Sequence, residues 1–305
     1  MSGSRARFDA FRRSQPRSPR LTRNAVRARG LDFAVFTTPA VPGVPALLCV
    51  NGGMIYSHSL LWPALAPLAA TRQVVLYDQR GRGASQAPPA IHASRIEHDA
   101  GDIPAIREAL GIERWDILGH SWGGGIAMLA TARDPVGVRR LALVDAVGPT
   151  SDWLPSLHLD ALARLAGAER ATLESLDPST LFTANASLHA EYSRAIYPAW
   201  FADPEFARGF SPPRQASATG AVVAARLRRE GYDWRDVIRG ITATTLIVHG
   251  AQDLLPARVA AENAALIAGA RLELIDGAGH MPFWEQPARF FDAVGAFLGE
   301  PDRGR

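Results

Sequence analysis

The stretch Leu118-Gly119-His120-Ser121-Trp122-Gly123-Gly124-Gly125 sets a serine between glycines two residues before and two residues after it, directly behind the apolar run WDIL. An abrupt passage from buried strand to helix forces the central residue into a strained backbone and crowds neighbouring chain, and glycines remove the side chains that would collide. Ser121 would then stand at a helix N-terminus, where developing negative charge is favoured. A hydroxyl is a weak nucleophile near neutral pH, so a base must take its proton and an acid must orient the base. His280, in DGAGHMPFWEQP, follows the final strand-like segment in a glycine-flanked turn and is the candidate base. Asp253, in VHGAQDLLP, is the candidate acid and gives the chain order serine, acid, histidine. Asp145, ending LALVD, is a second acid that could reach the same imidazole, although a strand-end aspartate also serves as a cap. His120 is next to the serine, but its side chain should point away from it, which makes it structural.

Acyl transfer also needs two amide donors for an oxyanion. One is the N–H of Trp122. The other comes from Asn51-Gly52-Gly53-Met54, where Gly53 is the first choice and Met54 the alternative. Each of these residues also has an ordinary reading: a packing turn for Ser121, a satisfied loop histidine for His280, a helix cap for Asp253, a plain turn for the glycines.

The elements that must position these groups alternate. AVRARG and LDFAVFTT read as a hairpin around Gly30; ALLCVNGG, QVVLYD, WDILGH, RRLALVDA, ATTLIVHG and RLELIDGAG read as further strands. Helical spacing appears over residues 58–70, 95–111, after Ser121, from Pro256 and over 287–298. Strands alternating with helices predict an α/β protein with a mostly parallel sheet covered on both faces. Residues 147–240 break the rhythm with Pro, Trp, Tyr and Phe at helical spacings and are expected to form a helical cap over the strand ends. The core would then comprise 25–146 and 241–299.

Composition excludes several classes. The chain has 305 residues, 47% of them hydrophobic, which is enough for a large core. The one cysteine, Cys49, permits no intrachain disulfide, and no apolar run is long enough to span a bilayer. With no apolar leader either, a cytoplasmic location is the default expectation. Residues 1–24 hold seven arginines against one acid; the rest holds 26 basic and 29 acidic residues, so the body has no nucleic-acid bias. The Arg-rich segment 1–24, with SQPRSPR, is expected to be a disordered tail. The eight histidines show no HxxxH or HExxH spacing, so no metal and no cofactor are expected.

With these residues together, residues 25–299 resemble the α/β-hydrolase superfamily. NGG, YDQRGRGAS and GHSWGG are similar to the corresponding stretches of the proline iminopeptidase branch of serine peptidases. Asn51 stands where that branch has histidine, and Met54-Ile55 where it has Pro-Gly. The resemblance implies the α/β-hydrolase fold, with an eight-stranded, mostly parallel sheet, a helical cap, and cofactor-free acyl transfer through Ser121, His280 and Asp253. YDQRGRGAS itself reads as loop architecture beside the site. For the substrate pocket the candidates are Met54, Glu191, Tyr197 and Trp200, with Glu205, Tyr192 and Phe201 nearby; Glu191 or Glu205 would hold a substrate amine. The expected partner is a small ester, lactone or short peptide, with no nucleic acid and no membrane. Two other classes remain open: a non-hydrolytic acid–base catalyst on the same scaffold, and a ligand-binding protein.

Overall fold

The computed structural model describes residues 3–15 and 17–301. Its centre is one eight-stranded sheet in the order β1-β2-β4-β3-β5-β6-β7-β8. The strands are β1 Thr22–Ala28, β2 Leu31–Thr37, β3 Leu47–Val50, β4 Val74–Tyr77, β5 Trp115–His120, β6 Val138–Val144, β7 Thr244–Gly250 and β8 Arg271–Ile275. β1 and β2 form the antiparallel hairpin, β2 pairs antiparallel with β4, and every remaining pairing is parallel. This is the mostly parallel α/β sheet expected from the alternating segments.

The central strands are apolar along their length because helices cover both faces. Every residue of β3, β4 and β5 is buried. Alternate side chains enter two separate cores: Leu48, Val50 and Ile117 on one face, Leu47, Cys49 and Leu118 on the other. α2 (Ile96–Ala109), α3 (Trp122–Arg133) and α10 (Ala257–Leu266) supply the first core, and α12 (Pro287–Gly299) the second.

Between β6 and β7 the chain adds no strand to the sheet. It forms α4 (Leu157–Arg164), α5 (Gly167–Glu174), α6 (Ala186–Ile196), α7 (Pro204–Ala207), α8 (Ala218–Glu230) and α9 (Arg235–Arg239). The two ends of this helical block are tied at its base, where Trp234 N–H donates to the Pro149 carbonyl at 2.8 Å.

Two expectations are corrected. Residues 58–70 form two short 3-10 turns, His58–Leu60 and Ala66–Ala70, rather than one helix. Pro63 and Pro67 remove backbone donors that a continuous α-helix would need. Within the expected disordered tail, Gly3–Ser14 forms helix α1. Phe8 and Phe11 lie one turn apart, so both project from one face of α1. Phe8 meets Phe210 edge-on at 5.0 Å and Phe206 at 6.0 Å, while Arg7 lies over the Phe206 ring at 4.5 Å. Two aromatics at helical spacing, together with Arg7, which also donates to the Glu285 carbonyl at 2.9 Å, dock this arginine-rich segment. Met1, Ser2 and Pro16 of that segment lie outside the described residues.

Candidate active site

Ser121 occupies the junction of β5 and α3 with φ 57° and ψ −125°, a backbone that non-glycine residues rarely adopt. The junction closes because its glycines lack side chains. A Cβ on Gly119 would lie 2.6 Å from the Gly123 carbonyl oxygen, and one on Gly123 would lie 2.1 Å from the Val50 oxygen. The strained turn is held by Ser121 N–H donating to the Val144 carbonyl (3.0 Å) and by Gly124 N–H donating to the Ser121 carbonyl (2.9 Å).

Asp253 and His280 arrive on the loops that follow β7 and β8. His280 Nδ1 lies 2.8 Å from Asp253 Oδ2, and Asp253 Oδ1 accepts from Leu255 N–H at 3.1 Å. Burial alone would raise the Asp253 carboxyl, but the adjacent His280 and these hydrogen bonds hold it below the ordinary carboxylate value. His280 is fixed from three sides. Its N–H donates to the Trp200 carbonyl (2.7 Å), its carbonyl contacts His120 Nε2 (2.9 Å), and its ring sits 4.3 Å from the Trp200 ring. His120 is buried, and burial pushes its imidazole down to about 3, so it stays neutral.

Asp145 lies behind Asp253. Its Oδ1 accepts from Gly250 N–H at 2.8 Å, and burial raises its carboxyl well above the ordinary value. Asp145, His249 and Asp253 bring ligand-capable atoms within 4.8 Å of one another. Asp145 Oδ1, both Asp253 oxygens and His249 Nε2, which donates to the Leu255 carbonyl at 2.8 Å, are hydrogen-bonded, while Asp145 Oδ2 and His249 Nδ1 are buried without a hydrogen bond.

The Asn51–Met54 loop lies directly against the serine: a Cβ on Gly52 would come 2.5 Å from Ser121 Cβ. Gly53 and Met54 both have positive φ, 75° and 52°. YDQRGRGAS braces this loop. Gln79 Nε2 donates to the Asn51 carbonyl at 2.8 Å, and the fully buried Arg82, paired with Asp99, donates from Nε to the Met54 carbonyl at 2.7 Å. Gly53, Met54, Ser121, Trp122 and His280 line one cavity of about 100 Å³.

Comparison with known proteins identifies the family and the fold. Residues 45–287 match the family model described as alpha/beta hydrolase fold. The chain belongs to the α/β-hydrolase family. It is 30% identical over 266 residues to the 2-hydroxymuconate semialdehyde hydrolase of Pseudomonas sp. (strain CF600), covering 85% of this chain and 88% of that protein. It is 27% identical over 278 residues to the proline iminopeptidase of Lactobacillus delbrueckii subsp. lactis, covering 84% and 90%. Among solved structures, VinJ superposes with a TM-score of 0.70 at 21% identity, covering 92% of this chain and 99% of that one.

The α/β-hydrolase core forms one side of the cavity and the helical block the other. Tyr192, Tyr197 and Trp200 line it. Phe201 does not: it is fully buried among Tyr197, Phe206 and Trp284. Glu191 and Glu205, expected as amine ligands, are exposed and outside the cavity lining. On α6 the inward face carries His189, Tyr192 and Ile196, at helical spacing, and Glu191 projects away from it.

Two contributors, Glu285 and Arg228, were missed in the sequence. Glu285 has a buried carboxylate that accepts from Gly279 N–H (2.8 Å) and Ala202 N–H (2.7 Å), tying the His280 loop to the helical block. Burial raises its carboxyl to about 7. Arg82 supports the Met54 carbonyl, and Arg228 lines the cavity. The only early signal for Glu285 was its place in MPFWEQP, five residues after His280; Arg228 lay among many other arginines, whereas Arg82 belongs to the YDQRGRGAS loop already read as architecture beside the site. No helix among the described residues is long and apolar enough to cross a membrane.

Proposed function

We propose that this α/β hydrolase is a cofactor-independent serine hydrolase acting on a small ester, lactone or amide. The observation that carries the reading is a serine on a strained strand–helix turn sharing a cavity with a histidine whose Nδ1 is held by a buried aspartate 2.8 Å away. Ser121 Oγ attacks the substrate carbonyl carbon as its proton passes to His280 Nε2. Asp253 orients the imidazole and stabilises its positive charge. The N–H groups of Gly53 and Trp122 receive the oxyanion, with Met54 as the alternative donor in that loop. His280 then protonates the leaving group, and water, deprotonated by the same imidazole, releases the acyl group and restores Ser121. The names of the relatives, a semialdehyde hydrolase and a proline iminopeptidase, support hydrolysis.

The deciding experiment follows a slow nitrophenyl ester by intact-protein mass spectrometry beside a prolyl nitroanilide rate assay. The expected result is an adduct of one acyl mass on the wild type and none on Ser121→Ala. Turnover by Ser121→Ala at the wild-type rate would remove the nucleophile from the reading. Turnover with no adduct under any quench would remove the acyl-enzyme from the reading and leave direct attack by water with His280 as the base.

A further inference from the structure

Arg228 lies on α8 one turn after Ala224, and both residues line the cavity that contains Ser121. Three buried arginines elsewhere have acids: Arg80 pairs with Asp102, Arg82 with Asp99, and Arg72 with Asp116. Among the described residues, no carboxylate lies within ion-pair distance (4.0 Å) of Arg228. Its one hydrogen bond is a long contact of 3.5 Å from Nη1 to the carbonyl of Ala224 in its own helix.

The polar groups around it supply no negative charge. The Tyr192 hydroxyl is engaged with His158 Nδ1 at 2.8 Å, and burial pushes that phenol up to about 12. His189 donates from Nε2 to the Thr183 carbonyl at 2.8 Å, and burial together with Arg228 lowers its pKa, so it stays neutral at pH 7. Ser193 completes this polar patch of the lining. Burial draws the guanidinium down to about 10, which leaves it charged at neutral pH. A half-buried cation lining the cavity is partly desolvated, and an anion entering beside it would offset that cost.

We propose that Arg228 anchors a carboxylate carried by the substrate, so that the site takes carbonyl compounds bearing one carboxylate remote from the scissile bond. The inference rests on the hydrolase reading for the words "scissile bond", but the binding of the carboxylate does not require hydrolysis. One guanidinium offsets one negative charge; a dianionic phosphate would bring an uncompensated charge into the cavity. The planar fork of Arg also suits two-point binding of a carboxylate.

The test uses succinamate, glutaramate and adipamate, each against its uncharged diamide, titrated calorimetrically into the full chain carrying Ser121→Ala. At least one chain length should bind about ten- to a hundredfold tighter as the carboxylate than as the diamide. Adding Arg228→Gln should abolish that preference, and Arg228→Lys should keep part of it, because a point charge remains without the fork. Equal binding of acid and diamide at all three lengths overturns the proposal. So does a preference that survives Arg228→Gln. If Arg228→Gln does not fold, the same comparison on Arg228→Lys decides: an undiminished preference overturns the proposal, and a reduced one supports it. Failure of the hydrolase reading would appear separately, as ester turnover by Ser121→Ala with the carboxylate preference intact.

Discussion

The two walls of the cavity are built on different principles. On the strand-end wall, position is set by main chain against main chain. The added Cβ atoms that would collide at Gly119 and Gly123 meet carbonyl oxygens, and Ser121 itself is held by backbone bonds to β6 and α3. On the helical wall, contact is made by the ends of side chains: Tyr192, Tyr197, Trp200 and Arg228. The first wall cannot relax without moving the sheet, whereas the second can exchange one side chain for another. Chemistry placed on the rigid wall and selectivity on the adjustable one is an arrangement in which substrate range changes without loss of catalysis.

The sharpest test of that division is Ser121→Ala, expected to lower kcat/KM by about 10⁴-fold or more with little change in melting temperature. Asp253→Asn should lose about 10³- to 10⁴-fold, because the amide favours the wrong imidazole tautomer. Asp145→Asn should lose less than about tenfold, since it contacts Gly250 rather than His280. If Asp145→Asn is the more damaging of the two, the acid has been assigned to the wrong carboxylate.

Next in size is Gly123→Ala. Its methyl would lie 2.1 Å from the Val50 carbonyl oxygen, an atom of the sheet that cannot step aside. Denaturation midpoints should show a loss of about 2–4 kcal/mol, and activity should fall with them. Full stability in this variant would mean that the strand-end wall has more freedom than its geometry indicates.

Much of this rigid wall was legible in the sequence, because glycine is a backbone signal and repeats at fixed offsets from Ser121. The buried strands were legible for the same reason: β3, β4 and β5 are apolar on both faces and read as continuous runs. The helical wall was not. Which face of α6 turns inward depends on how the helix sits over the sheet, so Glu191 and Tyr192, adjacent in sequence, could not be assigned to opposite sides in advance. Arg228 was hidden for another reason. Its distinguishing property is the lack of an acid partner among the described residues, which exists only once the fold is assembled. Helix α1 failed through composition, since its arginines concealed the Phe8 and Phe11 pair that docks it.

Glu285 joins the two walls and gives a pH-dependent test of how firmly they are coupled. Its carboxyl is raised to about 7 from the ordinary 4.5, mainly by burial. A group whose folded pKa is raised contributes stability fully present below about pH 4.5. That contribution is lost as pH rises through about 7. The span corresponds to about 3 kcal/mol, to be read as an upper bound. Between pH 5 and 8 the wild type should therefore lose stability more steeply than Glu285→Gln, which does not titrate. Parallel denaturation curves across that range would mean that the carboxyl is not perturbed as its burial implies.

The smallest expected effect bears on what the helical wall selects. Glu191→Gln and Glu205→Gln should each change kcat/KM by less than about twofold on both a nitrophenyl ester and a prolyl nitroanilide, as expected of exposed side chains remote from the reacting atoms. A substrate amine needs a carboxylate facing the cavity. Both glutamates turn to solvent, while the charged side chain on the helical side of the lining is the cation Arg228. An anilide-specific loss of tenfold or more in Glu191→Gln would require α6 to turn its outer face inward during catalysis. The helical wall would then be mobile as well as substitutable, and the contrast with the fixed strand ends would be greater than the side-chain contacts alone imply.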